Sequence, residues 1–374
     1  MTSVQTNFPN GLGTWPSNHA IATYPIAPTQ WQITKGDDFI PFRQSTDYTA
    51  TTGGTGATAA AFPWNAGFLK ITSGSTTPFK STEALGAGCF QAMPGNGLWH
   101  DLRMCAPTNS QTNPVNDATT YAGFFDTVDP SAAANGIYFI KPTGGTAVHF
   151  VVLKGGVATT FQNVGDLSTP SGLFNDSGSV LGVLTANTVG TTLTSLAVTT
   201  PGFGYRAAPL LIVNGTAGSN AAAYVQLGGS AGFPTFGAQS SASSLYATYI
   251  TNAGSGYTAG TFTVDVLPLI NFQFYYNGKG RLIVGINGRI VMALDTMGVN
   301  VAVPGQTYNV ATSSGKSWNF STTTLATTNV APPVGDPIVA LPQMPLQLGF
   351  GLVGTTANNR VMYVDEINVA TELN

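Results

Sequence analysis

Apolar residues alternate with other types over short stretches along most of this chain, and the stretches end on Gly, Pro, Asn or Asp. Phe272, Phe274 and Tyr276 alternate, then Leu282, Val284 and Ile286, then Leu346, Leu348, Phe350 and Leu352. Successive side chains of a strand point to opposite faces, so each set turns one face of its strand toward a core. Asn277-Gly278-Lys279-Gly280 and Asn287-Gly288 separate such runs, and Asn-Gly suits the left-handed angles of a type I′ hairpin turn. From about 62 to 165, runs such as "FLKITSG", "YAGFFDTV", "GIYFIKPT" and "TAVHFVVLKGG" recur at the spacing of a β-sandwich or barrel. No stretch carries a convincing helical period. The segment 299–337 is polar and punctuated by proline, and reads as a long surface loop able to hold short strand pieces.

One pattern repeats. "VTTPGFGYRAAP" at 198–209 returns as "ITNAGSGYTAGT" at 250–261, so Gly202, Gly204 and Tyr205 answer Gly254, Gly256 and Tyr257. A strand precedes and follows each turn. Each unit is too short to bury a core alone, but two packed together can. The repeat therefore predicts a small two-fold β module over 190–266, inserted between strands of a larger sandwich formed by 46–189 and 267–374. The glycines supply turn geometry, with the tyrosine laid across the turn. Residues 1–45 carry Phe8, Pro9, Trp15, Pro16, Pro25, Pro28 and Trp31 with little regular pattern, and read as an extended N-terminal arm. A peripheral strand on the chain's own sandwich is the competing reading of that segment.

Composition sharpens this picture. Only 8% of residues are charged, against about 25% in ordinary domains, so Thr, Ser, Asn and Gln must form most of the polar surface. No apolar run of roughly 18 residues is present to span a bilayer as a helix. The opening "MTSVQTNFPNG" does not read as a secretory signal. The 13 basic residues are scattered, which argues against a nucleic-acid groove. With 43% hydrophobic residues, 21 Phe and 13 Tyr, the chain can bury a substantial core. Cys89 and Cys105 flank "FQAMPGNGLWHDLRM", which reads as a hairpin about Pro-Gly-Asn-Gly. That register separates the sulfurs and predicts free buried thiols.

The search for chemistry returns structural readings. Gly202-Phe203-Gly204 lacks the helix and the Lys-Ser/Thr pair of a phosphate loop. His19, His100 and His149 are isolated, and His149 reads as a satisfied strand histidine. Only three Glu exist: Glu83, Glu366 and Glu372. Glycan hydrolysis needs two converging carboxyl groups. Asp126 with Asp129 reads as a turn pair, and Asp365 and Glu366 point to opposite faces if their strand is regular. No catalytic residue, cofactor or metal ligand is assigned, and the chain reads as a non-enzyme.

"LIVGINGRIVMAL" resembles a hairpin of concanavalin A-like or laminin-G-like jelly rolls, and "MYVDEINVATEL" resembles their closing strand. "GIYFIKPTGG" with "HFVVLKGG", the Gly-Ser-Gly-Tyr unit and "TNFPNGLGTW" resemble segments of tailed-bacteriophage virion proteins. The combined resemblance implies an all-β jelly-roll β-sandwich with a small inserted β module and an extended arm. It implies a virion structural protein of the head decoration or cement type, assembled in the host cytoplasm and exposed on the particle exterior. Its partners would be the major capsid protein, reached through Phe8, Pro9, Trp15 and Trp31, and itself, as a homotrimer. The alternative is a tail fibre or receptor-binding protein that uses the sandwich to bind host glycan. The absence of heptads favours the head. Lectins of this fold often hold calcium in Asp and Asn clusters; none matches here, so no metal or sugar site is carried over.

Overall fold

The computed structural model describes residues 31–37, 49–53, 57–61, 68–73, 79–84, 90–92, 96–105, 118–174, 176, 179–215, 218–228, 244–258, 262–278, 280–295, 307–311, 317–322, 340–354 and 360–372. The first part of the sandwich holds β1 (Trp31–Asp37), β2 (Thr49–Gly53), β3 (Thr58–Ala61), β4 (Leu69–Thr72), β5 (Phe79–Ala84), β6 (Leu98–Met104), β7 (Ala118–Phe125), β8 (Gly136–Lys141), β9 (Ala147–Lys154) and β10 (Val157–Asp166). A middle group follows: β11 (Val183–Val189), β12 (Thr192–Thr200), β13 (Leu210–Asn214), β14 (Ser219–Gly228), β15 (Ser244–Ser255) and β16 (Thr263–Leu267). The chain then returns with β17 (Ile270–Tyr276), β18 (Arg281–Ile286), β19 (Arg289–Asp295), β20 (Thr307–Ala311), β21 (Ser317–Thr322), β22 (Gln347–Gly354) and β23 (Val361–Glu372).

These strands build an all-β jelly-roll sandwich. One sheet runs β19-β18-β17-β6-β23-β4-β3, with β1 also paired to β23. The facing sheet runs β2-β5-β22-β7-β8-β9-β10-β21-β20. Alternation decides the inner faces: Phe272, Phe274, Leu282, Val284 and Ile286 meet Phe124, Phe139, Phe150, Leu348 and Phe350 in one core. The Phe139 and Phe272 rings lie 5.0 Å apart across it. His100 also points inward. Its ring stacks on Phe274 at 4.8 Å and meets Phe124 edge-on. Burial drives its pKa down to about 3, only partly offset by the Phe272 backbone, so it sits in the core as a neutral aromatic. Asn287 and Gly288 take φ of 47° and 77°, the type I′ turn that their sequence predicts.

The structure corrects one pairing and places several other expected features. The runs that flank Pro-Gly-Asn-Gly do not pair with each other as a hairpin. Phe90 pairs with Leu346 beside β22, whereas β6 lies between β17 and β23 in the other sheet, so the chain crosses between sheets there. Cys105 is buried with a free thiol; Cys89 lies outside the described residues. Within 299–337, β20 and β21 extend the edge of the second sheet through β10. In the expected arm, Trp31 opens β1, which pairs along the closing strand from Trp31↔Glu372 to Asp37↔Ile367. Phe8, Pro9 and Trp15 lie outside the described residues.

The middle strands pair only among themselves: β11 with β12, β14 with β15, and β13 with β16. Pairing here begins at the isolated bridge Val180↔Phe203 and continues from Val183↔Thr200. Two β-β-turn-β units face each other, and the antiparallel β13–β16 pair joins them through Ile212↔Asp265. Thr248 Oγ1 donates to the Leu196 carbonyl at 2.6 Å, and these residues are equivalent across the 52-residue repeat. The turns match: φ is 58° and 100° at Gly202 and Gly204, and 66° and 74° at Gly254 and Gly256. A Cβ on Gly202 would come within 2.4 Å of the Gly182 nitrogen, so only glycine fits. Both tyrosines are buried. Tyr205 Oη accepts from Gly182 N at 2.7 Å, and Tyr257 Oη accepts from Ala221 N at 3.0 Å. Leu210 and Leu267 rest on Cys105, Leu269 and Tyr363 of the sandwich.

Each tyrosine thus anchors a backbone N–H near the start of its own unit. Tyr205→Phe and Tyr257→Phe are each expected to lower stability by about 1 kcal/mol. The loss should be larger for Tyr205→Phe, whose hydrogen bond is buried while that of Tyr257 is part-buried. Thermal unfolding of the two variants checks this; an unchanged Tm for both would contradict it.

Candidate functional site

The strand pairing gathers ionisable groups on the outer face of the first sheet. On β6, Asp101 and Arg103 alternate with the core-facing His100 and Leu102. Register sets Asp101 between Gln273 and Asn368, and Arg103 between Asn271 and Glu366. Asn271 Nδ2 donates to Asp101 Oδ1 at 3.2 Å. Asn271 N donates to Asn287 Oδ1 at 2.8 Å, and Asn287 Nδ2 to the Ser171 carbonyl at 2.7 Å. Gln273 Oε1 accepts from Gly288 N at 2.9 Å. The type I′ turn is therefore wired into the polar face.

Arg103 holds both acidic neighbours of the closing strand. Its Nε pairs with Asp365, and a terminal nitrogen lies 3.1 Å from Glu366 Oε2. A regular strand would put Asp365 and Glu366 on opposite faces. The register of β23 against β6 shifts between Val364 and Glu366, and such a bulge lets consecutive side chains converge. That is the correction to the sequence reading, and no residue pattern announced the bulge.

Asp101 is 9% exposed. Burial raises its pKa to about 7; the Glu366 charge adds to the rise, while Gln273, Arg103 and Asn271 oppose it. A carboxyl poised there beside a second acidic side chain is what acid–base chemistry requires. Here, however, amides occupy Asp101, Arg103 neutralises its acidic partners, and the group is nearly closed to solvent. The cluster works as a brace across three strands. Among the described residues, no group of three His, Cys, Asp or Glu could hold a metal ion.

The other titratable candidates serve turns and strands. Asp126 accepts from Ala134 N at 3.1 Å and Asn135 Nδ2 at 2.9 Å. Asp129 caps the short 3-10 helix Pro130–Ala132 through Ser131. His149 Nδ1 accepts from Asn163 N at 2.9 Å. His19 lies outside the described residues.

A second feature is chemically opposite. Among the described residues, the exposed large apolar side chains are Val157, Met344 and seven from the middle strands and their lead-in: Val180, Val183, Val189, Phe203, Tyr224, Tyr246 and Tyr249. Residues 180–267 contain only two charged side chains, Arg206 and Asp265. Asp265 accepts from Asn214 at 2.8 Å. Sequence reasoning singled out Tyr205 and Tyr257, which are buried, and missed the exposed tyrosines. Tyr224, Tyr246 and Tyr249 stand in strand-like runs whose residue types do not mark which face is buried.

No protein-family profile and no curated protein matches the sequence. Solved structures with a similar strand arrangement include an endo-1,3-beta-glucanase from Streptomyces sioyaensis. It is 11% identical, with 94% of this chain and 99% of that one covered, at a TM-score of 0.35. The Lotus tetragonolobus seed lectin is 10% identical over 91% and 98%, TM-score 0.32. The carbohydrate recognition domain of Emp47p is 8% identical over 92% and 98%, TM-score 0.34. An arrangement found in both an enzyme and lectins does not by itself assign an activity.

The Asp101 environment has a pH signature. Its folded pKa, about 7, lies above the ordinary 3.8, so ionisation opposes folding. That cost is absent below the unfolded pKa, grows between the two values and is complete above about pH 7. Asp101→Asn, which keeps the neutral shape, is expected to raise Tm relative to the parent at about pH 8, with the gap closing near pH 4. A Tm difference that does not change with pH would contradict this.

Proposed function

We propose that this chain is a non-catalytic structural protein on the exterior of a tailed-bacteriophage particle, of the head decoration or cement type. The sandwich is the base and the two-fold module over the middle strands is a separate unit that faces outward. The observation that carries this reading is the division of surface chemistry. The ionisable cluster on the sandwich, Asp101, Arg103, Asp365 and Glu366, is consumed in a closed brace, while exposed apolar side chains collect on the nearly uncharged module. An attachment protein needs contact surface rather than a reactive centre. Uncharged surfaces also pack against a lattice without the desolvation cost of buried ions.

In this reading the capsid-facing anchor is the N-terminal segment with Phe8, Pro9 and Trp15, delivered to the shell at Trp31, where the chain enters β1. Aromatic anchors dominate interfaces, and proline lowers the entropy lost on docking. The major capsid protein is the partner, and copies of the chain assemble as a homotrimer. The exposed tyrosines of β14 and β15 favour a second role compatible with the first, recognition of glycan at the host surface, and a tail location would serve it equally.

Removal of residues 1–30 tests the anchor, because it spares β1. The expected result is loss of attachment to undecorated particles with an unchanged Tm of the free protein. A large fall in Tm, with attachment lost only through unfolding, would overturn the docking arm. Electron microscopy of particles with and without the protein separates head from tail.

A further inference from the structure

We infer that the outer face of the β14–β15 hairpin is a binding site for a neutral polysaccharide. The inference deepens the outward-facing module proposed above and rests on that reading for its biological setting. The face is built from directly paired residues, Tyr224 opposite Tyr249 and Gln226 opposite Ala247. The two tyrosine rings stack at 4.9 Å with 16° between their planes, yet 51% and 44% of these residues stay exposed. Tyr249 Oη donates to Gln226 Oε1 at 3.2 Å, which sets the pair before any ligand arrives. Tyrosine gives large contact area at low entropic cost because only two torsions must be fixed.

Tyr246 completes the face. The register shifts between Gln226 and Leu227, so Tyr246 is the extra residue between Leu245 and Ala247. Gly228 lies on the same side as Tyr224 and Gln226 by alternation. A Cβ there would meet Tyr246 Cβ at 2.7 Å and Cγ at 2.8 Å. The bulge therefore lays the Tyr246 ring over Gly228, on this face, at 73% exposure. The face thus carries the tyrosine pair at one end and Tyr246 at the other, with small Ala247 beside exposed Gln226 between them. At ~3.4 Å per strand residue this stretch of the face is long enough for one or two sugar rings. A pyranose offers C–H faces to the electron-rich aromatic faces and hydroxyls to the Gln226 amide.

Charge decides the class of ligand. Arg206 and Asp265 are the only charged residues between 180 and 267. Asp265 is held by Asn214, and Arg206 is exposed but sits in the turn after Tyr205, outside the β14–β15 hairpin, with Arg289 and Asp176 as its charged neighbours. A nucleic acid or an anionic membrane needs clustered Lys and Arg, and an acidic glycan needs a cation. A face of phenols, amides and methyl groups fits an uncharged, polyhydroxylated chain.

The test is affinity electrophoresis of the full chain in gels cast with dextran, mannan or laminarin, with alginate as the anionic control. At least one neutral polymer is expected to retard the protein, and about 0.5 M salt should leave the retardation intact because no ion pair is involved. Tyr224→Ala/Tyr249→Ala should weaken retardation about tenfold or more without changing Tm. Tyr246→Ser should weaken it independently, and Tyr224→Phe should preserve most of it. Absence of retardation by all three neutral polymers would overturn the proposal. So would retardation that survives the double substitution, salt-sensitive retardation by alginate alone, or concentration-dependent self-association abolished by the same substitutions. The gel contains no particles, so failure here and failure of the particle reading are separate results. A double variant that no longer binds polymer but still attaches to particles is the expected combination.

Discussion

Everything in the sandwich depends on the pairing of β6 with two strands far away in sequence. Its neighbours are β17 and β23, so residues 98–104 are held between 270–276 and 361–372. One face of β6 sends His100 and Leu102 into the core. The other sends Asp101 and Arg103 into the polar brace. A single strand thus couples aromatic packing inside to the Asp-Arg-Glu network outside. Because those contacts span so much chain, loop-closure entropy must be overcome before they form. The sheet cannot close until β17 and β23 are present.

This topology also explains why an entire module is tolerated between β10 and β17. The middle strands share no sheet with either face of the sandwich. They rest on it through a small apolar contact at Leu210, Leu267, Cys105 and Tyr363, with the Cys105 thiol donating to the Leu267 carbonyl at 3.9 Å. Their own core is buried between the two repeat units, around Leu196, Tyr205, Leu211, Val225 and Leu245. Among the described residues, the exposed large apolar side chains of these strands are Val183, Val189, Tyr224, Tyr246 and Tyr249.

Local patterns in the sequence carried the architecture a long way. The β17–β18–β19 meander, the Asn-Gly turn and the core face of β22 follow from alternation and turn chemistry, which are local properties. Pairing between distant segments is not. Pro-Gly-Asn-Gly has the composition of a hairpin turn, yet β6 pairs elsewhere because Asn271–Tyr276 and Glu366–Thr371 offer it a complete two-sided partner set. The convergence of Asp365 and Glu366 was equally hidden, since it needs a bulge that no residue type marks. The exposed tyrosines were visible as residues but not as a surface. Alternation reports which side chains share a face, and only packing reports which face is buried.

The module is expected to open as an independent unit on a sandwich unified by β6. Native-state hydrogen exchange of the full chain under increasing denaturant measures it directly. Amides of β11–β16 should open together, at a lower free energy and with a smaller denaturant slope than amides of β6, β17 and β23, which should exchange only through global unfolding. One common opening free energy and slope for both sets would contradict the account.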